Sequence, residues 1–179
     1  MVGRSAIARC RTGRGNAKPS LVQLCDRLAV RKARAQSSTG YAHEGAGGRA
    51  ELIGAAEAVP ERLLSAHGYL FVCPENLASM SGAMKEMFDR MYYPLLGRIE
   101  GRPYATVIAA GSDGRGAQAQ IDRIVAGWRL RRVAEPLIVN LNAQTPEAIL
   151  APKHVSEETL ERCRQLGAGL AEGLAQGIF

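Results

Sequence analysis

Aromatic residues make up only 5% of the 179-residue chain, with a single tryptophan. Surfaces that bind nucleic acid interleave aromatics with basic side chains, and no sequence pattern of that class is present, so no nucleic-acid partner is expected. Long apolar runs are also missing. None approaches the roughly 20 residues that span a bilayer, which excludes a membrane-inserted helix bundle. The first residues are basic but hold no apolar core of about 7–15 residues, so no signal peptide is expected. The four cysteines, Cys10, Cys25, Cys73 and Cys163, form no C-x-x-C pair. Their scatter fits thiols in a reducing, cytoplasmic location. His43, His67 and His154 have no partners at metal-ligand or triad spacing. No catalytic acid, base or nucleophile and no metal site is therefore assigned.

What is present is unevenly distributed. The net charge is +6, yet residues 1–50 hold 10 Lys+Arg against 2 Asp+Glu, and residues 51–179 hold 13 against 15. The basic character belongs to the first segment alone. From residue 49 onward, strand-like and helix-like runs alternate. "AELIGA" (50–55) has the length of an edge strand, and "GYLFVC" (68–73) is apolar on both faces, as a central parallel strand should be. Met80, Met84, Met87, Phe88 and Met91 form a helical stripe. "YATVIAAG" (104–111) and "PLIVNL" (136–141) are further strands, with a helical pattern at 115–129 between them. A long amphipathic helix follows Ser156. Such alternation implies right-handed crossovers and a parallel sheet covered on both sides. The expected fold is an α/β three-layer sandwich with a five-stranded parallel sheet of order 2-1-3-4-5. Residues 1–179 then form a single domain, with 1–48 atypical and expected to fold poorly.

In open α/β sheets, ligands bind beyond the carboxyl ends of the strands. The stretch "PENLASMSGAMKEMFDR" (74–90) occupies such a place. Pro74 is expected to end the strand. Glu75 and Asn76 offer polar side chains, while Ala78, Ser79, Ser81 and Gly82 leave the backbone uncovered. The N–H groups of the following helix start face the same crevice. A planar heterocycle with carbonyls and ring nitrogens would match that surface.

The stretch resembles the flavin loop of the NADPH-dependent FMN reductase family, in the flavodoxin-like superfamily. Pro74, Glu75, Asn76, Ser79, Gly82, Met84, Lys85 and Asp89 occupy the positions that carry the likeness, which covers about residues 49–179. The resemblance implies that the backbone from Pro74 through Glu75, Asn76, Leu77, Ala78 and Ser79 to Met80 contacts the FMN ring. Gly111, Ser112 and Asp113, in "AAGSDGRGAQAQ" (109–120), resemble the family's second ring-flanking turn, although a plain strand-to-helix turn would read the same way. NADPH or NADH would be the co-substrate, and a quinone or other small molecule the electron acceptor. A homodimer or homotetramer is implied as well, and "MYYPLLGRIEGRP" (91–103) could pack between subunits. Two alternatives stand beside this reading: a flavodoxin-type electron carrier, and a fold-only protein that has lost FMN binding.

The family's phosphate loop follows strand 1 with a pattern near S-x-T-G-x-T. Here "CRTGRGNAK" (10–18) offers Arg11, Thr12 and Gly13 as phosphate-binding residues, with "SAIA" (5–8) as the strand before it. Residues 19–33 then read as the first helix, with Leu21, Leu24, Cys25 and Leu28 on one face. Arg4 and Arg9 bracket the short strand, where a buried unpaired arginine would cost several kcal/mol. A change of reading frame in the coding sequence would produce a segment of this kind.

Overall fold

The computed structural model describes residues 20–25 and 49–179. In chain order the elements are β1 (Ser20–Cys25), β2 (Arg49–Gly54), a 3-10 turn (Ala55–Glu57), α1 (Pro60–Ser65), β3 (Gly68–Asn76), β4 (Ser79–Met80), α2 (Gly82–Leu95) and β5 (Pro103–Ala110). They continue with α3 (Arg115–Gly127), β6 (Arg131–Arg132), β7 (Leu137–Asn140), α4 (Pro146–Leu150) and α5 (Glu157–Gln176). The sheet runs β2-β1-β3-β5-β6. β7 pairs with β5 further along that strand, at Val107–Ala110, while β6 pairs at Pro103–Tyr104. The outer position is thus shared by two short strands. All of these pairings are parallel. The result is a flavodoxin-like α/β sandwich in which five sheet positions follow the order 2-1-3-4-5.

Strand alternation builds two cores. Val22, Leu24, Tyr69, Phe71, Tyr104 and Ile108 face one layer, and Leu21, Leu70, Ala105 and Val107 face the other. The first side is the larger. Leu63 of α1, the Met84, Met87, Phe88, Met91 and Leu95 stripe of α2, and Ala117, Ile121 and Val125 of α3 close over it. Phe71 is its hub, with ring centroids 5.2 Å from Phe88, 6.0 Å from Tyr69 and 6.1 Å from Tyr104. Fully burying each such ring removes a large apolar area from water, which is about 1.5–3 kcal/mol of driving force per side chain. The second side is covered by α5 through Leu170 and Ala171, with Leu166 and Leu174 packed alongside.

Two sequence readings change here. Residues 20–25 are the central strand β1, not the start of a helix. Every residue from Leu21 to Cys25 has a partner on each side, Leu24 lying between Ile53 and Phe71. Leu21, Leu24 and Cys25 satisfy a helical spacing, but Val22 and Leu24 on one face with Leu21 on the other satisfy a two-sided strand equally well, and pairing decides between them. The central position is filled by residues 20–25; "SAIA" (5–8), with the remainder of 1–19 and 26–48, lies outside the described residues. The second change concerns Pro74. It does not end β3; the strand continues through Asn76, with Pro74 beside Ala109.

His67 is held at the opposite edge of the sheet, where its Nδ1 accepts the Ser20 N–H at 3.1 Å. Among the described residues, no helix is long and apolar enough to cross a membrane.

Candidate functional site

Parallel pairing brings the carboxyl ends of the strands to one edge, and the two loops singled out in the sequence meet there. The first is a tight hairpin. β3 turns back on itself and pairs antiparallel with β4, Glu75 opposite Met80 and Asn76 opposite Ser79. The two residues between, Leu77 and Ala78, have φ of 52° and 57°. Positive φ at both central positions is the geometry of a type I′ turn, which Asn-Gly adopts without cost and β-carbon-bearing residues do not. Leu77 is fully exposed, and Asn76 and Ala78 are also exposed. Met80 returns the chain to the core at 3% exposure. Ser81 then caps α2, its hydroxyl accepting the Met84 N–H at 3.4 Å.

The second loop follows β5. Gly114 has φ 89°, and a Cβ there would stand 2.5 Å from Ile138 Cγ2, so both the turn and the packing require glycine. Having no side chain, Gly114 cannot cap α3. The cap comes instead from the hairpin. Glu75 Oε1 accepts the Gly114 N–H at 2.7 Å, and Oε2 accepts the Ala117 N–H at 2.9 Å. A second tie runs from α3, where Gln120 Oε1 accepts the Ser79 hydroxyl at 2.8 Å and the Met80 N–H at 3.0 Å. Between these ties Gly116 lies against the turn peptide. A Cβ on it would be 2.9 Å from the Ala78 carbonyl carbon and closer still to the oxygen. Hairpin and helix start therefore approach closely where Gly116 meets the Ala78 peptide.

Below the loops, α3 is fixed to the sheet by a polar network. Thr106 donates to Gln118 Oε1 at 2.7 Å, Gln118 Nε2 donates to Asp122 Oδ1 at 2.9 Å, and the Tyr104 hydroxyl donates to the same oxygen at 3.0 Å. Arg132 pairs with the other Asp122 oxygen. Burial pushes the Tyr104 phenol above its ordinary range, with the Arg132 hydrogen bond pulling the other way. A third loop supports Gly111–Asp113. Asn140 donates its side-chain amide to Ser112 O, the Ala143 N–H donates to Gly111 O at 2.8 Å, and Asn140 Oδ1 accepts the Asn142 N–H at 2.8 Å.

Pro74, Glu75, Asn76, Leu77, Ala78, Ser79 and Met80 thus share one hairpin, and Gly111, Ser112 and Asp113 sit beside it. Asp113 is exposed and paired with Arg115 at 2.6 Å. The amides of Ser112 and Asp113 have no acceptor among the described residues. Arg11, Thr12 and Gly13 lie outside the described residues. Lys85 and Asp89 form an exposed pair at 2.6 Å on α2. Sequence reasoning passed over Gly116, Gln120 and Asn140. The first two lie within the stretch 109–120, read there only as a turn running into a helix. Asn140 and Asn142, two apart after an apolar run, carry the signature of a side-chain-stabilised turn. Two shallow clefts, about 280 Å³ against α5 and about 240 Å³ between α2 and α3, lie away from this edge.

Comparison with known proteins agrees with the geometry. Residues 20–143 match the family NADPH-dependent FMN reductase. No curated protein sequence matches the chain. Among solved structures, a flavodoxin from the domain Archaea superposes with a TM-score of 0.66 at 16% identity, covering 87% of this chain and 98% of that one. A flavodoxin, WrbA-like protein from Agrobacterium tumefaciens gives 0.66 at 14%, covering 89% and 99%. The flavodiiron protein from Giardia intestinalis gives 0.66 at 15%, and there the chain covers 87% of itself but only 36% of the other. At these identities the structures speak for the fold, and the sequence match speaks for the family. With its central strand, both tip loops and the third, supporting loop inside the matched span, the chain belongs to the NADPH-dependent FMN reductase family of flavodoxin-like, FMN-binding oxidoreductases.

Proposed function

We propose that the chain takes hydride from NADPH or NADH and passes the electrons to a quinone or another small acceptor, through an FMN whose ring lies between the hairpin Pro74–Met80 and the loop Gly111–Asp113. One observation carries the reading: the Ser112 and Asp113 amides, without an acceptor among the described residues, stand beside a hairpin whose tip, Asn76–Ala78, is exposed. N–H groups without a protein acceptor suit the carbonyl-rich edge of an uncharged ring. The α3 start is less suited to the phosphate, because Glu75 already fills two of its amides.

FMN, when bound, supplies the two-electron chemistry. The chain's part is to bind and orient. The amides of Ser112 and Asp113 would donate to ring acceptors, and the main chain of Asn76–Ala78 would line the other side. The two loops contain neither histidine nor cysteine, and Asp113 is tied to Arg115. They are equipped for hydrogen bonding and not for proton shuttling. Tyr93 and Leu96, 80% and 47% exposed near the end of α2, support a homodimer or homotetramer built on that face. Cys163, a free thiol, fits a cytoplasmic setting.

The purified chain titrated with FMN, then offered NADPH or NADH with and without a quinone, tests the reading. Bound flavin, bleached by nucleotide and reoxidised by quinone, is the expected result. Flavin that binds but is not bleached by either nucleotide indicates an electron carrier. A chain that takes up no FMN overturns the proposal.

A further inference from the structure

We infer that Glu75 is a positioning residue for the flavin: its carboxylate, shared between the Gly114 and Ala117 amides, sets the spacing of the two tip loops and lowers the reduction potential of the ring held between them. The inference rests on the proposed FMN site and adds a role that the site's own contacts do not require.

The argument begins with the missing cap. A helix whose N-cap is glycine has unsatisfied amides and an unmasked positive end. Here the acceptor is supplied from 39 residues upstream, by a side chain on a different loop. One carboxylate therefore does two things. Geometrically, both of its oxygens are engaged, 2.7 and 2.9 Å from donors at the first turn of α3, so the hairpin cannot move without releasing them. Gln120 repeats the tie one turn later. The strained Leu77–Ala78 turn persists because both its flanks are held in this way. Electrostatically, the carboxylate offsets the positive end of α3, bonded to the amide of Gly114 that follows Asp113 in the chain. Reduction adds negative charge to a flavin, and a fixed negative charge nearby opposes it.

Glu75→Gln tests both parts. The amide side chain keeps its length but accepts with one oxygen and opposes the second N–H with its own. Three readouts are compared with the wild type: exchange of the Gly114 and Ala117 amides without cofactor, the FMN dissociation constant from quenching of flavin fluorescence, and the midpoint potential of the bound flavin. The expected results are exchange faster by about tenfold or more, FMN binding weaker by about tenfold, and a more positive potential. Glu75→Asp keeps the charge one methylene short. It is expected to loosen exchange while leaving the potential near wild type, and it serves if the Gln variant does not fold. A wild type that binds FMN, beside a Gln variant with unchanged exchange, affinity and potential, overturns the inference alone. A wild type that takes up no FMN overturns the proposed function and with it the claim on potential; the exchange result then still decides the spacing claim.

Discussion

Gly116→Ala and Gly169→Ala are the same chemical change at two helical positions, and the structure assigns them opposite signs. Replacing a helical glycine by alanine ordinarily stabilises by about 0.5–1 kcal/mol, because the unfolded chain loses less freedom. Gly169 lies within α5, and a Cβ there meets nothing within 4 Å. The full propensity gain is expected. At Gly116 the added carbon would fall 2.9 Å from Ala78 C, inside the 3.0 Å that real Cβ contacts essentially never breach, with the carbonyl oxygen nearer still. The obstacle is main chain and cannot rotate away. It also belongs to a turn with no slack, since Glu75 and Gln120 hold both its ends. Overpacking of this kind costs about 1–3 kcal/mol. If the loops part to relieve it, the Glu75 hydrogen bonds weaken too, at about 1.5–3 kcal/mol for a charged acceptor. Relaxation will recover some of this, so the net expectation is a loss of about 1–3 kcal/mol. At about 2–4 °C per kcal/mol for a chain of this size, the melting midpoint should fall by roughly 2–12 °C. Urea unfolding monitored by circular dichroism gives the sign directly: the midpoint should drop for Gly116→Ala and rise for Gly169→Ala, with unchanged slopes. A Gly116→Ala chain as stable as the wild type would show that hairpin and helix are not packed as described.

The hairpin offers a second test, because Leu77→Asn with Ala78→Gly places the preferred I′ residues where φ is already positive. About 1–2 kcal/mol of stabilisation is expected in a thermal melt, with FMN uptake retained if the main chain makes the contacts. Asp122→Ala leaves the Tyr104 hydroxyl, the Gln118 amide and Arg132 without their shared acceptor, and should cost about 1–3 kcal/mol by chemical unfolding. The tyrosines predict a pH dependence. Burial raises the pKa of both Tyr69 and Tyr104 above the ordinary value of about 10. Their stabilising contribution is complete below pH ~10 and is lost as pH climbs through the raised folded values. Phenolate absorbance should therefore lag in the folded protein and jump on unfolding, and a normal titration of all five tyrosines would contradict the burial. Cys163, its thiol also pushed up by burial, should react with a thiol reagent at mildly alkaline pH more slowly than in the unfolded chain.

Much of the fold was legible because two-sided apolar runs and helical stripes are redundant signals. "GYLFVC" and the Met84–Met91 stripe each contain several residues that must be buried together, so single ambiguities do not matter. β1 was misread for the opposite reason. Six residues with three leucine or valine side chains fit either period, and only pairing to Arg49–Gly54 and Gly68–Val72 resolves them. The phosphate-loop assignment to Arg11–Gly13 falls outside the described residues. At the site, the residue types of both loops were visible from composition, but their connections were not. In the sequence Glu75 offers a polar side chain toward the crevice. Its actual partners lie 39 and 42 positions away, and no local spacing encodes such a bond. The I′ turn was hidden for a related reason. Leu-Ala carries none of the Asn-Gly preference, and the turn forms because tertiary contacts outweigh its local strain.

Amide exchange of the wild-type chain with and without saturating FMN tests the central claim most directly. Slowed exchange confined to Asn76–Met80 and Gly111–Gly114 is the predicted result. Absence of FMN uptake, or protection at the α5 cleft with the two tip loops unchanged, would contradict it.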